Sequence, residues 1–177
     1  QPTAEGFAVV AGEKTLLSPA KNPLLLPNEA LAQAVAREWQ NGAKYSPSAM
    51  PLTALAYTAI DRIATQPGAI VEVLMVYVDS DTLTYRATGS EKLEKYQEEL
   101  WEPVLAWASS RFDVAWKTTS GVMPVEQSPA LHEAVERYLW SLSAWQLSAF
   151  CMLSSGFSSL LLALAVCEEY LEASDAF

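Results

Sequence analysis

The chain has 177 residues, enough for one domain with a full core or for two small ones. Hydrophobic residues make up 51% and charged residues 18%, a globular rather than a disordered composition. With 21 acidic against 11 basic side chains the formal charge is -10, a field that repels phosphate and so argues against nucleic acid or an anionic membrane surface as a partner.

Taken in order, Phe7 to Val10 and Lys14 to Leu17 read as two short strands about a Gly12-Glu13 turn, and Leu24 to Leu26 is a third extended piece between Pro23 and Pro27. Asn28 caps a helix in which Leu31, Ala34, Val35, Glu38 and Trp39 keep the i, i+3, i+4 spacing, and Gly42 ends it. Tyr45 to Met50 has no period and reads as a linker. From Pro51, the stripe Leu52, Leu55, Ala56, Ala59, Ile60, Ile63 predicts a helix that stops before Pro67-Gly68. A second helix from Ala69 to about Val78 turns Ile70, Val73, Leu74 and Tyr77 inward, and Asp81 to Thr88 alternates as a strand does.

Ser90 opens a long helix whose buried face is expected to hold Leu93, Tyr96, Gln97, Leu100, Val104, Trp107 and Ala108, with a kink at Pro103. Phe112 to Trp116 alternates again, Thr118 to Gly121 is a turn, and Pro129 starts a helix with Leu131, Ala134, Val135, Tyr138, Leu139 and Leu142 inward. Then comes the stretch Ser143 to Cys167, part of a run between Arg137 and Glu168 without one charged side chain. As a single helix capped by Ser143 and Gln146 it would run about 36 Å, enough to cross a bilayer or to form the spine of a helical domain. Its many serines, and Glu168, Glu169 and Glu172 where Lys or Arg would flank a membrane span, favour the spine. On such a helix Cys151 and Cys167 stand about 24 Å apart and cannot pair with each other. No signal-peptide pattern is visible, although Gln1 reads as a trimmed start and a targeting segment ahead of it stays open.

The expected fold class is therefore α+β in two domains. A small N-terminal α/β domain of short strands plus one helix occupies residues 1–44, and a larger all-α C-terminal bundle occupies 45–177, built on a hydrophobic helix at about 144–170.

Enzymatic motifs are missing. The seven glycines are too widely spaced to write G-x-G-x-x-G or G-x-x-x-x-G-K anywhere. His132, the only histidine, sits one turn before Glu136 and reads as half of a surface pair. Ser158 lacks the second glycine of a nucleophile elbow, and two cysteines with one histidine give no zinc-ligand spacing, so neither catalysis, cofactor nor metal is expected. A carboxylate hydrolase would need a pocket holding two acidic groups of raised pKa. Six tryptophans suit core packing and protein interfaces, with Trp101 and Trp140 the ones expected to stand outside the core.

Five separated segments carry a resemblance: Asn22 to Gln40 (NPLLLPNEALAQAVAREWQ), Met50 to Asp61 (MPLTALAYTAID), Asp81 to Ala87 (DTLTYRA), Gln97 with Trp101 to Ala108 (WEPVLAWA), and Gly121 to Val125 (GVMPV). With Leu161 to Val166 they occur in the order found in the ATP-twelve family, which the chain resembles over almost its whole length. The resemblance implies an assembly chaperone of the ATP synthase F-one sector that binds the free alpha subunit and shields its beta-facing surface. It implies no catalysis and no cofactor, a monomer, and no stable membrane insertion. It places the protein in the cytoplasm of an alphaproteobacterium or in the mitochondrial matrix of a eukaryote. The family pattern usually has a further strand before Phe7, another helix rich in acidic residues and tryptophan beyond the equivalent of Phe177, and often Asp where Glu102 stands here. Carried over by motif, the partner-binding candidates are Glu38, Trp39, Asp81, Tyr85, Arg86, Gln97 and Trp101; a structural role is favoured over direct partner contact for these, with Arg86 expected to pair with Asp79 or Asp81 and Trp39 to anchor a core. A different class of function, a small membrane-associated protein anchored by the 144–167 helix, is the alternative.

Overall fold

The computed structural model describes residues 1–41 and 46–176; the expected end of the first helix at Gly42 and the boundary after residue 44 lie outside them. Structure is mixed, with short strands and a helical bulk. The chain divides into two compact units: Gln1–Pro67 with Ser143–Ala149, and Gly68–Leu142 with Phe150–Phe177. Each is therefore built from two separate stretches of sequence.

In the first unit, β1 (Pro2–Thr3), β2 (Gly6–Ala8) and β5 (Leu25–Leu26) form an antiparallel sheet in the order β1-β2-β5, with Phe7 opposite both Pro2 and Leu26. A strand ahead of Phe7 is thus present. Gly6 is required there: its φ is +143°, and a Cβ would come within 2.6 Å of the Leu26 carbonyl oxygen. The expected hairpin is β3 (Val10–Ala11) against β4 (Lys14–Thr15), turning through Gly12-Glu13. Helix α1 (Glu29–Asn41) starts where predicted, the Asn28 side chain accepting from the Leu31 N–H at 2.8 Å. It lays Ala32 and Val35 on Val9, Leu24, Leu26, Ala56 and Tyr57. Helix α2 (Pro51–Thr58) runs into a π-helical turn, Ala59–Ile63. That turn carries Asp61, whose carboxylate accepts from the Ser18 hydroxyl, the Ala20 N–H and the Asn22 amide, fastening the loop between β4 and β5.

The second unit is helical. Helix α3 (Pro67–Ser80) buries Ile70, Val71, Leu74 and Val78 and leaves Val73 exposed, a face turned slightly from the expected one. Asp81 to Thr88, expected as one strand, is a 3-10 turn (Thr82–Thr84) followed by β6 (Tyr85–Arg86). The Asp81 side chain caps that turn through the Leu83 N–H, which diverts the backbone from an extended path. Strand β6 pairs in parallel with β7 (Thr119–Ser120), where a plain turn was expected. Helix α4 (Glu91–Phe112) contains Pro103 and ends on Asp113 in the left-handed region; helix α5 (Pro129–Ser141) is capped by Ser128.

The single helix expected over 144–167 is two. Helix α6 (Ala144–Phe157) stops at Ser158, whose φ is +52°, and helix α7 (Leu160–Cys167) restarts after Ser159. The serines decide this: the Ser159 hydroxyl accepts from the Leu162 N–H at 3.0 Å and donates to the buried Asp81 carboxylate, so a turn competes successfully with helix continuation. In α7, Leu160, Leu161, Ala163, Leu164 and Ala165 are all fully buried, with α4 packed against it. Truncating one of these leucines to alanine removes about 2–5 kcal/mol. Among the described residues no helix is long and apolar enough to cross a membrane, and the anchored alternative loses the element it required.

Candidate functional site

Asp81 follows directly on α3 and is fully buried, yet it carries a carboxylate. Its oxygens accept from the Leu83 N–H at 3.0 Å, the Ser159 hydroxyl at 2.8 and 3.0 Å, and the Leu161 N–H at 2.9 Å, so it caps α7 across 80 residues of sequence. Burial raises its pKa to about 6 against the opposing pull of those donors. Its partners are backbone N–H groups and a hydroxyl, not a second carboxylate, which makes it a structural tie and not half of an acid–base pair.

Four residues further on, β6 presents Tyr85 and Arg86 beside the second turn of α4. Arg86 donates through Nη1 to the Gln97 carbonyl at 3.2 Å and through Nη2 to Glu102 at 2.9 Å, and its guanidinium lies 5.6 Å from the centre of the Trp101 ring. The Gln97 side chain accepts from the Ala87 N–H at 2.8 Å, which ties the end of β6 to α4. Tyr85 reaches back to the Asp79 carbonyl at 3.4 Å. These four residues, with Ala87, Gly121 and Val122, line a groove of about 640 Å³ with mostly apolar walls. The Arg86 side chain is only 17% exposed, while Glu102 is 60% exposed. The ion pair expected between Arg86 and Asp79 or Asp81 is thus with Glu102, because α4 presents that carboxylate one helical step beyond Trp101.

Glu38 and Trp39 belong to the other unit and play a different part. The Glu38 carboxylate accepts from the Leu52 N–H (2.8 Å), the Thr53 N–H (2.8 Å) and the Thr53 hydroxyl (2.7 Å), capping α2 where Met50 offers no side-chain acceptor. Trp39 packs on the core of that unit. Of the seven candidates, then, Tyr85, Arg86, Gln97 and Trp101 share one groove, Asp81 supports the chain leading into it, and Glu38 and Trp39 lie elsewhere in the fold.

His132 pairs with Asp79 at 3.0 Å rather than with Glu136. Asp79 also accepts from the Gln127 N–H at 2.8 Å, and Gln127, almost fully buried, exchanges two hydrogen bonds with the backbone of Lys117. Periodicity could not reveal this link, because it joins a helix end to a segment without repeat. Trp140 is exposed as expected, with Gly68 beneath its ring. Among the described residues no group of three or more histidine, cysteine or carboxylate side chains could hold a metal ion.

The largest departure from sequence expectation is on α4. Val104, Leu105, Ala108 and Phe112 are buried, whereas Leu93, Tyr96 and Leu100 are 46%, 60% and 51% exposed. The apolar stripe is continuous in sequence, but only the part beyond Pro103 has α7 and α5 to pack on.

The family model for ATP12 chaperone protein matches residues 1–109. Mitochondrial Atp12 of Schizosaccharomyces pombe is 25% identical over 176 residues, an alignment covering 92% of this chain and 60% of that protein, so the chain spans about three fifths of that relative's length. Among solved structures, Atp12 from Paracoccus denitrificans matches with a TM-score of 0.93 and 38% identity, covering 99% of this chain and 76% of the other. A point mutant of the same Paracoccus protein gives the same figures. The Atu1473 protein from Agrobacterium tumefaciens matches with a TM-score of 0.91 and 33% identity, covering 98% of this chain and 66% of the other.

Proposed function

Because the chain belongs to the ATP12 chaperone family, we propose that it is an assembly chaperone of the ATP synthase F-one sector, one that binds the free alpha subunit and shields the surface the beta subunit will cover. The observation that carries this reading is the 38% identity kept over 99% of the chain with a solved Atp12 structure. The protein acts by binding, as a monomer, without catalysis or cofactor. Its compartment follows its source, the cytoplasm of an alphaproteobacterium or the mitochondrial matrix, since its relatives come from both a bacterium and a mitochondrion.

The mechanism is differential burial. Apolar surface on the chaperone covers apolar surface on alpha, and beta displaces the chaperone by covering more of it. Tyr85, Arg86, Gln97 and Trp101 supply a groove suited to this, with aromatic walls and a guanidinium already neutralised by Glu102. Asp81, Glu38 and Trp39 contribute by holding the fold that presents it. Co-purification with isolated alpha subunit, abolished on adding beta, is the expected result. Retention of beta but not alpha, or normal ATP synthase assembly in a deletion strain, would overturn the proposal.

A further inference from the structure

The end of α4 and the second half of α5 enclose a shallow pocket of about 290 Å³ lined by Arg111, Phe112, Ala134, Arg137, Tyr138 and Ser141. Among the described residues two guanidiniums line it and no carboxylate does, on a chain whose formal charge is -10. The two arginines are in different states. Arg111 is fixed: its Nε donates to the two Glu168 oxygens at 2.8 and 3.1 Å and its Nη2 to one of them at 3.0 Å. Its guanidinium also lies 5.6 Å from the centre of the Tyr138 ring and 6.0 Å from that of Phe112. The Arg111 Nη1 donates to no acceptor among the described residues, so two N–H groups stay open on a side chain that is already ordered. Arg137 is exposed, and among the described residues no carboxylate reaches within 4.0 Å of it, Glu133 one turn back on α5 included. Burial pushes the Tyr138 hydroxyl up to about 12, so at neutral pH that side chain adds no charge to the pocket.

With Glu168 neutralising Arg111, the pocket keeps one uncompensated positive charge, that of Arg137. One charge matches a single carboxylate and leaves a phosphate dianion half unmatched, and the planar guanidinium fork fits a carboxylate two bonds at a time. The Phe112 ring and Ala134 give the same pocket an apolar part, suited to the methylene stem of an acidic side chain rather than to a bare ion. We propose that this pocket seats one Glu or Asp side chain of the protein partner, its carboxylate taken by Arg137 and the open Nη1 of Arg111. Because Arg111 is held by Glu168 and the two rings before the partner arrives, little ordering is left to oppose binding there. The acidic balance of the chain turns such a positive seat into a register mark, since an acidic group of the partner is repelled by the chain's overall field and accepted here. The inference rests on the chaperone reading for the identity of the partner, but not for the ligand class of the pocket.

The test uses the full chain and the variants Arg137→Ala, Arg137→Lys and Arg137→Glu, after thermal unfolding has checked that this exposed position leaves the melting temperature unchanged. Each is titrated at constant ionic strength with glutamate capped at both ends, with capped glutamine and with inorganic phosphate, while NMR follows the Arg111 and Arg137 guanidinium signals. Capped glutamate should shift both signals saturably, with a Kd on the order of millimolar, and the other two probes should not. Arg137→Ala should weaken that binding about tenfold, and Arg137→Lys, which keeps the charge but loses the fork, should fall between it and the wild type. Isolated F-one alpha subunit is the second probe: Arg137→Ala should bind it about tenfold more weakly, and Arg137→Glu more weakly still and with a shallower salt dependence. If the wild type binds alpha and Arg137→Glu binds it equally well, the partner's acid does not sit here and the chaperone reading stands. If the wild type ignores alpha but takes capped glutamate, the chaperone reading falls and the carboxylate seat survives. No saturable shift with capped glutamate, equal shifts with phosphate, or concentration-dependent dimerisation of the wild type that Arg137→Glu abolishes would overturn the inference.

Discussion

Two carboxylates do the same job in the two units, and their settings differ. Glu38 caps the start of α2 and Asp81 the start of α7; each accepts from backbone N–H groups and one hydroxyl, across a sequence gap no local motif could bridge. Glu38 is half-buried, so water can replace what a substitution removes. Asp81 is sealed, and nothing can. A helix cap is worth what its loss leaves unsatisfied, so the same device should carry little leverage in one unit and much in the other.

Asp81→Ala should give the largest effect, about 3–5 kcal/mol of lost stability, because the Leu161 N–H and the Ser159 and Leu83 donors are then stranded without water. Chemical denaturation monitored by tryptophan fluorescence measures it. A loss below about 1 kcal/mol would mean that α7 does not depend on this tie.

The acid limb sharpens the contrast. Burial raises the Asp81 pKa from 3.8 to about 6, so the folded state holds its proton more tightly than the unfolded chain does. The sign follows: on lowering the pH from 7 through 6 towards 4, the Asp81 contribution to stability grows. Asp61 goes the other way. Desolvation is the largest single influence and raises its pKa, but the Ser18, Asn22 and Ala20 donors together outweigh it and lower the pKa, so its contribution is present above the ordinary carboxylate value and disappears below it. The stability gap between wild type and Asp81→Asn should therefore widen from pH 7 to pH 5, whereas the gap for Asp61→Asn should stay level over the same range. Parallel lines for the two would remove the physical distinction drawn between them.

Glu38→Ala should cost about 1–2 kcal/mol, the usual penalty for losing an N-cap with solvent at hand. Hydrogen exchange should locate the loss in the first turn of α2 and leave α7 untouched. Equal losses for Glu38 and Asp81 would show that burial does not set the leverage.

Much of the fold was legible because the deciding interactions were local. The Asn28 cap, the Gly12-Glu13 turn and the apolar faces of α1 and α5 depend on residues within a few positions of one another, and each was found where the spacing put it. What escaped was decided at long range. The break at Ser158 needs Asp81, 78 residues away from Ser159, to reward a capped turn over a continuous apolar helix. The face of α4 could be read as apolar but not as buried, since periodicity names the side of a helix and not whether anything covers it. In the groove, the grouping of Tyr85, Arg86, Gln97 and Trp101 follows from the family pattern, whereas Glu102, which holds Arg86, stands out in the sequence only as a position where that pattern often has Asp.

Glu102 supplies the weakest member of the comparison. It too is a carboxylate holding a partner, with Arg86 at 2.9 Å, but it is 60% exposed and water stands ready for both charges. Arg86 also keeps the Gln97 carbonyl and the face of Trp101 when Glu102 is neutralised. Glu102→Gln should therefore shift stability by no more than about 0.5 kcal/mol, close to the resolution of a denaturation curve. Its useful readout is elsewhere: an Arg86 released from that pair should be freer to meet an acidic group, so the groove should tolerate acidic probe peptides that the wild type rejects. A stability loss approaching that of Asp81→Ala would show that exposure is no guide to what a carboxylate contributes in this protein.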